Sequence, residues 1–533
     1  MTRWAMIADL RRCVGCQTCT AACKHTNATP PGVQWRRVLD IETGTFPNVS
    51  RTFVPVGCQH CEDPPCMHVC PSTATGQRDG GIVTIDYDLC IGCAFCAVAC
   101  PYQARYKIDK PLFAYGKGRR MFNEAQREMP ERIGVAQKCT FCSDRVDYGL
   151  ENGLTPGVDP VATPACVNSC IASALHFGNL DDPEGNVSVM LKENKTFPMH
   201  DELGTHPGFH YLWDGGTEEE EIPENTDMTP RDSGNPPKPV VGGVEPWLQR
   251  HWDWRAAMNF VGGGTGTGLL IATALFALVG SAPVMAAALA GVGLVCLGLF
   301  MVFLETGRPF RAPLNVFFHP QTSWMTREAM VGAALVPIGL VAAWTEWIVV
   351  LALAGVLAAG FMYCQARILK QAKGIPAWRT PAIVPLVLAT GLAEGSGLFL
   401  MLSTLVLPGG SHLPVIGVVI AACAFRTWAG WRYRKELAEG APTLTLEALR
   451  KADPVVLLVG LVAPVVAATV AQLAEGGLVA AAAVVAGLLA AATGWLMKFA
   501  IITRASYNQG FALVRSPSRG PGGGSPGVKP GWS

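Results

Sequence analysis

The sequence predicts an α+β, cysteine-rich domain followed by an all-α polytopic membrane domain of eight transmembrane helices. Three observations carry this. Sixteen of the nineteen cysteines fall in residues 1 to about 246, which are polar. Residues from about 256 to 503 are rich in Ala, Leu, Val and Gly and hold several apolar runs long enough to cross a bilayer. The cations of that second half cluster between pairs of such runs. Over 533 residues the formal charge is only +1, so no global basic field argues for a nucleic-acid partner. Charged residues make up 16%, and mean hydropathy is positive, which excludes an ordinary cytosolic globule and a disordered chain.

Along the chain, 1–214 forms the cysteine domain, where GGIVTIDYD (80–88) alternates like a strand. Residues 215–250 combine an acidic run with Pro and Gly and are expected to be a mobile linker. The membrane domain occupies 251–511, and the low-complexity tail 512–533 is expected to lack structure. MTRWAMIADLRRC shows neither the apolar stretch nor the small-residue cleavage site of a targeting segment, which leans toward the cytoplasm.

Four cysteine runs stand out. Cys13, Cys16, Cys19 and Cys23 follow C-x2-C-x2-C-x3-C, and Cys58, Cys61, Cys66 and Cys70 follow C-x2-C-x4-C-x3-C-P. Cys90, Cys93, Cys96 and Cys100 repeat the first spacing with a following Pro. Cys139 and Cys142 are separated by a long insert from Cys166 and Cys170. A [4Fe–4S] cube needs four soft thiolates. A tight loop supplies three, and the fourth member of a run turns to a second cluster. Disulfides are set against a reducing compartment, and zinc would explain an isolated C-x2-C pair but not four runs of four. The domain is therefore expected to be ferredoxin-like with four [4Fe–4S] clusters. If the runs pair first with fourth and second with third, Cys13, Cys16 and Cys19 share a cube with Cys170. Cys139, Cys142 and Cys166 then share with Cys23, Cys58, Cys61 and Cys66 with Cys100, and Cys90, Cys93 and Cys96 with Cys70.

Eight apolar segments follow, near 257–280, 284–304, 328–345, 347–366, 381–403, 413–430, 454–474 and 477–501. Gly262, Gly263, Gly264, Gly266 and Gly268 fit close helix packing in lipid better than a nucleotide loop, because no strand precedes them. Arg308, Arg311, Arg367, Lys370, Lys373, Arg379, Arg426, Arg432, Arg434, Lys435, Arg450, Lys451, Lys498 and Arg504 are assigned to loops and ends on one face. The positive-inside rule makes that face cytoplasmic, together with both termini and the cysteine domain, in an inner-membrane protein. His319 and His412 are the only histidines of 257–503 and lie in or beside loops, so no haem is expected.

IADLRRCVGCQTCTAACK, CQHCEDPPCMHVCPSTAT, DYDLCIGCAFCAVACPYQARY and KCTFCSDRV resemble the four-cluster electron-transfer subunit of dimethyl sulfoxide reductase-type molybdoenzymes over nearly all of 1–214. ETGRPFRAPLNVFFHPQTSWMTREA resembles the eight-helix quinone anchor of the same systems, mainly through G-R-P and S-W-x-x-x-E. The resemblance implies a fused relay that moves electrons between a separate molybdopterin-containing catalytic subunit and membrane menaquinone or ubiquinone. Such a chain would not turn over the main substrate alone. VNSCIASALHFGNLDDP and ELGTHPGF look most like sulfite:quinone oxidoreductases, with dimethyl sulfoxide, polysulfide and tetrathionate systems as alternatives.

Proton and quinone candidates are Glu328, Arg308, His319 and Glu394. The resemblance puts an acidic residue at the Glu328 position beside the quinone head-group. As plainer readings, Glu328 is a helix N-terminal carboxylate, Arg308 a topology anchor and His319 a solvated loop residue. Glu394 falls in mid-helix, where a carboxylate is costly and read as functional, or else is protonated and bonded to a neighbouring helix. It motivates an alternative function, electron transfer coupled to proton or ion translocation.

Overall fold

Trp4–Asp9 is buried along its whole length because it is an interior strand of a four-stranded sheet. The order is Leu175–Asn179, Trp4–Asp9, Phe209–Leu212, Thr196–Pro198. Trp4–Asp9 runs antiparallel to Leu175–Asn179, with Ala8 opposite Leu175, and parallel to Phe209–Leu212. That ladder sets the chain before the first cysteine run against the chain after the fourth. A second ladder joins Thr75–Gln77 to Val83–Ile85, with Thr75 opposite Ile85, and so ties the end of the second run to the start of the third. The long hairpin Arg36–Thr45 with Asn48–Gly57 adds Val38, Ile41, Val54 and Val56 to the same core.

The structure is a computed structural model that describes all residues except 1, 46–47, 117–118, 127–128, 214–243, 281, 408–412, 474–476, 512, 517–524 and 529–533. The expected linker thus lies largely outside the described residues, as does His412. The chain divides into two units: Met1–His68, Thr73–Trp247 and Asn508–Ser533 form one, Val69–Ser72 and Leu248–Tyr507 the other. The segment after the last helix returns to the first unit. Asn508 N–H donates to the Trp247 carbonyl, and Gln509 Nε2 donates to that of Pro101 at 3.2 Å. In the tail, expected to be without structure, Leu513–Ser516 pairs antiparallel with Ser525–Val528.

In the second unit, seven helices among the described residues are long and apolar enough to cross a membrane, where the sequence predicts eight spans. They are Trp254–Ala277, Val284–Glu305, Trp324–Thr345, Ile348–Gln371, Ile383–Val406, Leu413–Gly440 and Leu478–Arg504. The expected 454–474 span is helical from Asp453 to Leu473, running through Asp453–Leu457, a π-helical turn Leu458–Val462, and Ala463–Leu473. In that turn the Gly460 carbonyl accepts from Arg426 Nη2 at 2.6 Å. A π turn is the local widening that frees a carbonyl for an inserted side chain.

Glycines let the first helix sit in the middle of its neighbours. A Cβ at Gly262 or Gly266 would strike the backbone of Val284–Glu305, and one at Gly268 the Gly391 carbonyl. Small residues in lipid permit such close backbone approach. Gly268→Leu is expected to cost about 1–3 kcal/mol through overpacking. It should therefore lower the thermal unfolding midpoint of the detergent-solubilised protein, and an unchanged midpoint would contradict this packing.

Candidate functional site

The first and third cysteine runs are folded by the same device. Gly15 and Gly92 both have φ +72°, and Gln17 and Ala94, at +61° and +57°, precede the short helices Thr18–Thr26 and Phe95–Ala99. Left-handed residues curl each loop so that closely spaced cysteines turn to one side, and glycine adopts that conformation without steric cost. In the fourth run Cys142 itself is left-handed, at φ +52°, before Ser143–Glu151. Cys16 is exposed, Cys93 and Cys170 are half-buried, and the other members of the four runs are buried.

Thiols from distant runs meet. The Cys23 thiol is raised by burial and then by its neighbours Cys139, Cys166 and Cys142. Cys61 is raised by burial and then by Cys58, Cys66 and Cys100. Cys19 is pushed up to about 11 by burial, held back by Arg36 and raised further by Cys166, Cys13 and Cys170. Burial likewise pushes Cys100 and Cys139 up to about 12. Cys96 lies in the Phe95–Ala99 helix and Cys90 and Cys93 in the loop before it, while Cys70 belongs to the Val69–Ser72 segment of the second unit.

Among the described residues no disulfide forms, and no three His, Cys, Asp or Glu donors close around a single point as a lone ion requires. A zinc about 2.3 Å from each sulfur would need a tighter gathering, whereas a cube spreads its ligands around a larger body. Orphaned donors fit the same body. Arg36 is 1% exposed with Nε and Nη1 unpartnered, and His60, between Cys58 and Cys61, has a buried, unpartnered Nε2. The donor set therefore suits an iron–sulfur cube rather than a single ion.

The second unit holds two buried polar centres. Glu328, Asn259 and Gln365 come from three helices, and the Glu328 carboxyl meets the side chains of the other two. Gln365 Nε2 donates to the Asn259 carbonyl at 3.1 Å, while Glu328 Oε1, Asn259 Oδ1 and Gln365 Oε1 lack partners among the described residues. At the other centre Lys498 Nζ lies 2.7 Å from Glu394 Oε2, which also accepts from Thr265 Oγ1 at 2.8 Å. Trp495 Nε1 donates to that hydroxyl at 2.9 Å, and Glu394 Oε1 is buried without a partner among the described residues. Arg308 is half-buried in the connection after Val284–Glu305. His319 Nδ1 lies 3.0 Å from the Cys70 carbonyl, within the same unit, and Ser323 Oγ donates to that of Val69 at 3.0 Å. The structure thus brings Glu328 together with neither Arg308 nor Glu394.

Residues 49–114 match the 4Fe-4S dicluster domain family. The chain is similar to the selenate reductase B subunit of Mesobacillus selenatarsenatis, at 39% identity over 226 residues, which covers 39% of this chain and 72% of that protein. It is also similar to the sulfite dehydrogenase B subunit of Allochromatium vinosum, at 36% identity over 229 residues (40% of this chain, 83% of that protein). The tetrathionate reductase B subunit of Salmonella typhimurium is 36% identical over 214 residues (39% and 72%). This chain belongs to the family of iron–sulfur subunits of molybdoenzyme complexes. The iron–sulfur subunit here carries, in addition, a helical C-terminal half with membrane-spanning character.

Several buried polar residues beside these centres go unmarked by the cysteine spacing. Arg36, Arg105 and Lys138 are 1%, 3% and 1% exposed beside the thiols, and of the three only Arg36 lies outside the quoted cysteine segments. Asn259, Gln365 and Thr265 are single polar residues inside apolar runs. Two cations assigned to loops are corrected. Lys498 and Arg426 are buried inside helices, with Arg426 donating to the carbonyls of Ala490 and Gly460.

Burial and exposure make a checkable difference in thiol reactivity. Hydrogen bonds from Thr18 draw the exposed Cys16 thiol down, whereas Cys19, Cys100 and Cys139 are held protonated. A thiol raised by two pH units carries about a hundredfold less thiolate at neutral pH, and thiolate is the nucleophile. In the metal-free protein at pH 8, iodoacetamide should modify Cys16 before Cys19, Cys100 and Cys139, as read by peptide mass spectrometry. Equal rates would contradict the assignment.

Proposed function

We propose that this chain is a fused iron–sulfur relay and quinone-linked membrane anchor. It would carry electrons between a separate molybdopterin-containing catalytic subunit and the membrane quinone pool. The observation that carries the reading is the meeting of Cys23 with Cys139, Cys142 and Cys166 and of Cys100 with Cys58, Cys61 and Cys66. It supports ligand sets exchanged between runs. Cys13, Cys16, Cys19 and Cys170 complete one further set, and Cys90, Cys93, Cys96 and Cys70 the other. The four [4Fe–4S] clusters, when bound, supply one-electron carriers.

The chain's own residues do the rest. Loops with left-handed turns hold the thiolates, burial excludes water, and the aromatic stack of His60 on Phe141, centroids 3.7 Å apart, packs the second run's loop against the fourth's. A quinone taking two electrons also takes two protons. Glu328, buried beside the Asn259 and Gln365 side chains with Oε1 unpartnered among the described residues, is the group we assign to hold a proton for it, with Arg308 and His319 as polar groups on the same side of the helices. The reductive direction reverses these steps. The positive-inside pattern supports a cytoplasmic cysteine domain, although Lys498 and Arg426 no longer count toward it. Among partner substrates sulfite is favoured, in line with the relative named as a sulfite dehydrogenase subunit.

Purified full-length protein is expected to contain about sixteen irons with matching labile sulfide. Markedly fewer irons, or zinc in their place, would refute the relay. With iron unchanged, Glu328→Gln should slow quinone-linked electron flow by about a hundredfold or more, the usual contribution of a positioned acid–base group. Flow at the wild-type rate would remove Glu328 from the quinone chemistry.

A second reading rests on the Glu394–Lys498 pair. A buried charge pair is costly in lipid, and here it sits in mid-helix with one carboxylate oxygen unpartnered. In this reading electron flow is coupled to proton or ion movement through Glu394. Reconstituted into vesicles, Glu394→Gln is expected to keep quinone reduction and lose acidification or alkalinisation of the lumen. Proton movement equal to wild type would leave the pair a structural one.

A further inference from the structure

Three buried cations of the first unit stand without carboxylates. Arg36, Arg105 and Lys138 form no ion pair among the described residues. The buried carboxylate of this unit, Asp9, is already taken by Arg11 at 2.8 Å. A buried, unpaired cation is strongly unfavourable, and a nearby anion would relieve each of them. Four thiolates around a cube carry net negative charge in both oxidation states, and more when reduced. Cluster potential responds to just such nearby charge and to hydrogen bonds on sulfur.

Their positions follow the proposed ligand sets. The thiols acting on Arg36 are Cys166, Cys139, Cys19 and Cys23, which belong to the two ligand sets made from the first and fourth runs. Its guanidinium is fixed over Phe209, 4.8 Å from the ring centre, with Nη2 2.9 Å from Met6 Sδ. Arg105 Nη2 donates to Cys66 Sγ at 2.9 Å and Nη1 to Thr75 Oγ1 at 2.9 Å. Cys66, Cys96, Cys58 and Cys100 all act on it, so it touches both sets made from the second and third runs. Lys138 lies between these pairs. Its Nζ donates to the carbonyls of Cys139, at 2.6 Å, and Val83, and its charge is felt at Cys66.

We propose that Arg36, Lys138 and Arg105 are counter-cations at the three successive junctions of the four-cluster path, each stabilising the reduced state of the two clusters it separates. This rests on the relay reading above. It goes further by assigning the device that lets electrons occupy neighbouring clusters without strong mutual repulsion. In a buried, weakly screened site a fixed cation between two anions favours an added electron on either side. These are positioning residues: they touch ligands, not substrate.

The test is redox potentiometry followed by electron paramagnetic resonance on the full-length, cluster-loaded protein in its membrane. At the wild-type midpoint, Arg36→Gln should lower the reduced-to-oxidised ratio about tenfold in the two clusters of the first and fourth runs. For a one-electron couple that is about 59 mV. The other two clusters should keep their midpoints. Arg105→Gln should do the mirror image. Lys138→Gln should lower the clusters bound by Cys139 and by Cys66. Arg36→Lys and Arg105→Lys, which keep the charge, should stay near wild type. Unchanged midpoints at full iron content, an equal fall in all four clusters, or a Lys variant no better than Gln would overturn the proposal. Where a Gln variant assembles incompletely, its fully loaded Lys counterpart still decides, because a fall there counts against charge as the cause. Failure of the wild-type iron count would instead refute the relay reading itself.

Discussion

Thiols distant in sequence can share one metal site only if the backbone first brings their loops together. Here two short ladders do this. Trp4–Asp9 against Leu175–Asn179 closes the domain end to end, so the first and fourth runs begin and finish side by side. Thr75–Gln77 against Val83–Ile85 does the same for the second and third. Without these ladders each run could hold at most its own four sulfurs, and no exchange of ligands between runs would arise. Loop closure over so long a stretch is entropically expensive, and bound metal would offset that cost because it binds only the assembled site.

Charge is the second constraint, and the two units meet it differently. In the helical unit Lys498 and Glu394 answer one another directly, Thr265 donates to the same Glu394 oxygen, and Lys498 donates to the Phe260 carbonyl. Arg426 has no carboxylate contact among the described residues and instead gathers two carbonyls, distorting the helix that supplies one of them. The cysteine-rich unit buries Arg36, Arg105 and Lys138 with no carboxylate partner among its described residues, an arrangement suited to a group that brings negative charge with it. Burial of unmatched charge is thus informative in a way that burial of apolar residues is not.

Much of this was legible in the sequence. The cysteine spacing marks the iron–sulfur domain, since spacing within a run reports a local loop. Hydropathy marks seven of the spans that the helices realise. What stayed hidden depends on neighbours distant along the chain. Nothing in VVLLVGLVAPVV says that an arginine from another helix will capture the Gly460 carbonyl and open a π turn. Lys498, near the end of an apolar run, looks like a loop cation until Glu394 is found opposite it. Arg36 carries no motif, because what places it is a strand rather than a spacing.

The first membrane helix explains why the two intramembrane centres remain distinct. It supplies Asn259 to the Glu328 centre and Thr265 to the Glu394 centre, and most of its length is buried. Adjacent glycines open it in two directions. A Cβ at Gly263 would run into the Gln365 amide, and one at Gly264 into Lys498 Nζ. Consecutive helical positions point about 100° apart, so one turn of glycine makes room for a polar cluster on each flank. Any exchange of protons between the centres would have to pass this helix. Its Thr267 hydroxyl already donates to the Gly263 carbonyl at 2.6 Å. A helix so placed keeps the Glu328 centre apart from the Glu394–Lys498 pair.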